Sequence, residues 1–206
     1  MLLKKISLVG FFLFCLFIAS SPAYACACCA EPGFYEITTA KPDKFYMDLL
    51  GEIKFAKASK LYMDAGEFEP IRGLDELKKD NENGKSIDFN IVETFLQGTW
   101  RLNVKTGAGR SGSFVLPMPA TMTRYKADHH NSPTDVEPVL YKEFIVTGRV
   151  GSGNGIFRSA GARPTNYTLV LQGRGNMCDN ASDFTHWRLG LNGPTAKYAF
   201  FGKLGS

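Results

Sequence analysis

The sequence predicts an all-β fold, an antiparallel β-barrel of about eight or more strands, on three observations. Apolar and polar residues alternate with period two through most of the chain after Phe34, the connections are rich in turn residues, and helix-forming stretches are nearly absent. Alternation matters because successive side chains of a strand point to opposite faces of a sheet. In "FLQGTWRLNVKT", Leu96, Trp100, Leu102 and Val104 share one face, and Thr99, Arg101, Asn103 and Lys105 share the other.

The same pattern marks the other elements in order. "GEIKFAKASKLYM" and "SIDFNIVETF" precede that segment, and "SFVLPM", "MTRYKAD", "VLYKEFIVTGRV", "NYTLVLQGRG", "THWRLGLNG" and "AKYAFFGKL" follow it. "NENGK", "GAGRSGS", "GSGNG" and "LNGPT" link them with the glycine, asparagine and proline that tight antiparallel turns use. "GLDELKKD", residues 73–80, is the best helix candidate, barely two turns long.

With so little helix to cover a sheet, the strands must bury their apolar faces against one another, as a closed barrel or a two-sheet β-sandwich. The last six strands read as one meander, which favours the barrel. An outer-membrane barrel is disfavoured, because several strands carry Arg, Lys or Glu in mid-run where a lipid-facing band would be apolar.

Residues 1–25 read as a cleaved signal peptide. Lys4 and Lys5 precede an apolar run from Ile6 to Ala19 that is short for a membrane span, and Ala23-Tyr24-Ala25 supplies the small-residue cleavage pattern. Residues 26–34 form a Cys-rich N-terminal tail, and residues 35–206 form a single β-barrel domain. The expected location is periplasmic or secreted, with no transmembrane segment after processing. Lipid anchoring at Cys26 is less favoured, since Ala23-Tyr24-Ala25-Cys26 lacks the usual leucine. Without Lys4 and Lys5 the formal charge falls from +4 to +2, and no basic stripe emerges for a phosphate backbone, so nucleic acid is not an expected partner.

"GNGIFRSAGA", residues 153–162, resembles the Gly-x-Gly-x-Phe turn of secreted barrels similar to allene oxide cyclase and dirigent proteins, although Gly161 follows Ala160 directly where that pattern has one residue between. The resemblance implies a barrel with this segment as a fold-making turn. The family includes isomerases and members without known activity, so a barrel isomerase or cyclase is one implied function.

Four cysteines remain after the leader: Cys26, Cys28, Cys29 and Cys178. In an oxidising compartment the first expectation is disulfide bonding, with one of Cys26, Cys28 or Cys29 tied to Cys178 and the remaining pair joined locally. The alternative is copper or zinc handling by soft thiolates at Cys26, Cys28, Cys29 and Cys178, with His129 and His130 as further donors. Against it, vicinal Cys28 and Cys29 are difficult to aim at one tetrahedral ion. Adjacent His129 and His130 would likewise point to opposite faces of a strand.

The sequence holds no Gly-rich loop followed by Lys-Ser/Thr, no Gly-x-Ser-x-Gly elbow, no His-Glu-x-x-His motif and no two Cys-x-x-Cys motifs that could pair, and no catalytic residue stands out. Aromatic residues are plentiful: Phe95, Trp100, Tyr125, Tyr141, Phe144, Tyr167, Phe184, Trp187, Tyr198, Phe200 and Phe201 recur along the strands. Most are expected as core. A barrel this size can also leave room for one ligand. The leading functional expectation is therefore an exported soluble barrel that binds a small, largely apolar molecule and needs no cofactor.

Overall fold

A computed structural model of the chain describes residues 28–62, 71–78, 86–128 and 139–205. The eleven strands there are β1 (Tyr35–Ala40), β2 (Lys54–Tyr62), β3 (Ser86–Leu96), β4 (Thr99–Thr106), β5 (Ser111–Pro117), β6 (Met122–Ala127), β7 (Leu140–Arg149), β8 (Ser152–Gly155), β9 (Asn166–Gly175), β10 (Phe184–Asn192) and β11 (Lys197–Gly205). Short helices are α1 (Lys44–Glu52), α2 (Asp75–Lys78) and α3 (Arg158–Ala162), with a 3-10 turn at Ala181–Asp183. The signal peptide of the sequence reading lies outside the described residues.

All strands join one curled, half-barrel sheet in the order β1-β6-β7-β9-β10-β11-β2-β3-β4-β5-β8, antiparallel throughout. The two-sheet sandwich is excluded. The expected meander of six is corrected to one of five, β6-β7-β9-β10-β11, because β5 belongs to a second meander, β2-β3-β4-β5. The pairing of β11 with β2 welds the two together.

The curl brings the β5–β8 end of the sheet back against β7 and β9 through the chain itself. After β7 only Val150 and Gly151 intervene before β8, which pairs with β5. At that corner Val150 N–H donates to Thr165 O at 2.9 Å and Gly151 N–H to Val115 O at 2.8 Å. Tyr167 Oη, from β9, donates to Pro117 O at 2.5 Å across the same seam.

Three local readings change. The segment around Gln97-Gly98 is a hairpin turn, with φ of 49° and 70°, so it separates β3 from β4. Leu96 therefore leaves the face of Trp100, Leu102 and Val104 and is exposed. Alpha-helix α1 was unforeseen. Asp43 caps it, its Oδ1 accepting the Tyr46 N–H at 3.0 Å. Tyr46, Leu49, Leu50 and Ile53 then recur at helical spacing, and the last three are buried. Gly51 and Glu52 consequently end a helix, and β2 begins at Lys54.

One interior cluster unites the buried side chains. Phe89, Phe114, Phe157, Tyr198 and Phe200 pack there with ring centroids 4.3 to 6.3 Å apart. Phe157 enters from the segment after β8. Gly153 and Gly161 let that segment fold tightly, since a Cβ on Gly153 would sit 2.3 Å from Phe157 O and one on Gly161 2.6 Å from Gly153 N.

Candidate functional site

Alternation along β2, β3, β10 and β11 places Ala58, Lys60, Asp88, Asn90, His186 and Lys203 outward, all exposed. Between them lies an open groove of about 720 Å³. Ala56, Ala58 and the half-buried Phe201 give it an apolar centre, and Ser59, Phe89 and Gly202, which face the other way, form its floor. Cross-strand register sets the polar rim: Lys60 lies opposite both Asp88 and Phe201, and His186 lies opposite Lys203. Lys60 Nζ is 3.1 Å from Asp88 Oδ1. Beneath the floor, Trp187 packs against Gly202 and stands 4.7 Å from the Phe55 ring.

A second constellation occupies the inner face of β6 and β7. Lys126 and Lys142 are cross-strand partners there. Lys142, 1% exposed, places Nζ 2.7 Å from Asp183 Oδ2 and 3.3 Å from Asp179 Oδ1, and also donates to Cys178 O at 2.6 Å. Lys126 Nζ reaches Asp179 Oδ2 at 3.0 Å and Met177 O at 2.6 Å. From α1, Tyr46 donates to Asp179 at 3.2 Å, and Arg124 lies over the Tyr46 ring, 4.2 Å from its centroid. Burial, with help from the Asp179 carboxylate, raises the Tyr46 pKa, while Arg124 opposes that rise. Lys126, Lys142, Asp179 and Asp183 thus each meet an opposite charge. The two lysines also hold carbonyls of the loop before β10, which makes the cluster an anchor for that loop.

The anchored loop carries Cys178, and the structure joins Cys178 to Cys28 in a disulfide. The Met177 N–H donates to Cys28 O at 2.8 Å beside it. The tail is therefore tied to the β9–β10 loop, as the disulfide reading expects. Cys29 is exposed, and Cys26, His129 and His130 lie outside the described residues. Among the described residues no group of three or more His, Cys, Asp or Glu is placed to hold a metal ion. Bonded to each other, Cys28 and Cys178 offer no thiolates.

Sequence reasoning missed the groove and the ionic cluster. Period-two alternation in "THWRLGLNG" assigns Trp187 to the core face and His186 and Arg188 to the other, and the structure has Trp187 buried and the other two exposed. Nothing local indicated that Lys126 and Lys142 face inward toward acids some 40 to 50 residues later, because lysines on a strand ordinarily read as its solvent side.

No family model, curated protein or solved structure matches this chain. Among the described residues, no helix is long and apolar enough to cross a membrane.

Proposed function

We propose that the protein is an exported β-barrel module that holds a small, largely apolar ligand in the groove over β2, β3, β10 and β11 without transforming it. The groove itself carries this reading. Its volume of about 720 Å³ falls within the range of small-molecule sites, and its apolar centre with a few rim polar groups is the usual composition of such sites. Export is supported by the N-terminal leader pattern and by the Cys28–Cys178 disulfide, a bond that persists in oxidising compartments. The buried Lys126, Lys142, Asp179 and Asp183 are engaged with one another and with backbone carbonyls, which suits anchoring better than proton transfer to a substrate.

Titration with the neutral fluorophore N-phenyl-1-naphthylamine tests the reading. The expected result is saturable binding at one site. Ala58→Trp should fill the apolar centre and weaken binding at least about tenfold, with the circular dichroism spectrum unchanged. Uptake that never saturates, or equal affinity in the variant, would overturn it.

A further inference from the structure

We infer that the groove selects an amphiphile with a single anionic head group, a carboxylate on an apolar tail, and that Lys203 and His186 receive the head. This rests on the groove reading above and names its ligand class. The apolar centre accounts for a tail, while the rim decides the head.

Four rim groups line the groove with charge or titratable character: Lys60, Asp88, Lys203 and His186. Asp88 is the one acid among them, and its carboxylate is already met by Lys60 at 3.1 Å. Lys203 makes no ion pair or hydrogen bond among the described residues. Its cross-strand partner is His186, another donor-bearing side chain rather than a counterion. His186 Nδ1 lies 2.9 Å from Thr185 Oγ1, so the remaining ring nitrogen is the one left for a ligand. Arg188, exposed and opposite Phe201, adds a further cation beside the apolar centre.

Opposite charges set across a strand pair are favourable, and Lys203 has none across from it. The acid on the rim is occupied, and a ligand carboxylate would supply the missing charge between Lys203 and His186. A cationic ligand would meet repulsion at the same rim. A neutral one would gain only the tail's burial.

Three probes with one tail separate these cases: dodecanoate, dodecanol and dodecyltrimethylammonium, each below its micellar concentration. Trp187, one layer beneath Gly202, supplies the fluorescence readout. Dodecanoate should bind about five- to tenfold more tightly than dodecanol, the scale expected of one partly solvated charge contact, and dodecyltrimethylammonium more weakly than either. Added salt should weaken dodecanoate alone. Lys203→Met, at an exposed position whose fold a thermal melt verifies, should bring dodecanoate down to the dodecanol level. Lys57→Met, exposed on β2 but outside the lining, should leave it unchanged. If dodecanol binds as tightly as dodecanoate, or Lys203→Met changes nothing, the head-group inference fails while the groove reading stands. If none of the three binds, both fall.

Discussion

The interior is closed in two different ways, and the contrast shows how one sheet can use opposite chemistries for the same purpose. Around Phe157 the closure is apolar: five aromatic rings interlock, and the segment that delivers Phe157 is held by glycines whose backbones touch. On the inner face of β6 and β7 it is ionic: α1 and the β9–β10 loop are drawn down by Lys126, Lys142, Asp179 and Asp183 and stapled by Cys28–Cys178. The apolar closure gains from every contact independently. The ionic one stands only as a set, since each buried charge costs several kcal/mol to desolvate and is tolerated because its partners are present, roughly 3 Å away.

Truncation should expose that difference most strongly at Phe157. Phe157→Ala should cost about 3–5 kcal/mol in urea unfolding, through lost burial and a residual cavity, whereas Phe157→Leu should cost about 1.5 kcal/mol or less. The loss should scale with the volume removed.

The ionic region should respond to charge rather than volume. Lys142→Met roughly conserves size, yet it leaves Asp183 and part of Asp179 unpaired in the interior, and a loss of about 3 kcal/mol is expected. Pairing it with Asp183→Leu should recover part of that loss. A double variant worse than the sum of the singles would show that the cluster does not act as a set.

Glu93 offers the smallest and most pointed comparison, being an inward-facing charge without such a set. It sits half-buried between Ile91 and Phe95 on β3, and its Oε1 lacks a hydrogen-bond partner among the described residues. Burial raises its pKa above the ordinary 4.5, against the opposing pull of Lys54 and the Phe55 backbone. A raised carboxyl favours the folded state while it is protonated. That contribution is complete below pH 4.5 and is lost as pH rises through the folded-state value. Glu93→Gln should therefore melt higher than the parent at pH 7 by a small margin that closes toward pH 4. A margin that instead widens on acidification would mean that the ionised form is the stabilising one.

Alternation along the chain was enough to announce strands, because a half-buried sheet imposes period two on each of them separately. Trp100, Leu102 and Val104, and again Trp187, Leu189 and Leu191, declared their inward face without reference to any partner. A tie between the tail and Cys178 was legible as well, since one distant cysteine faced three clustered ones, but which of the three makes it was left to the fold. Helix α1 was hidden in a short apolar stretch whose signal was its cap, Asp43, and the groove was invisible because it is made of four strands far apart in sequence.

The sequence by itself thus determined the strands, their faces and the chemistry of their turns, all of which are set by neighbours a few residues away. Only the tertiary structure decided that β11 pairs with β2, that Lys126 and Lys142 point inward toward Asp179 and Asp183, and that Lys203 stands opposite His186 beside the apolar centre of the groove. The physical reason is that register between distant strands depends on the simultaneous burial of every face in the sheet. A charge placed by that register finds its partner across the fold rather than along the chain.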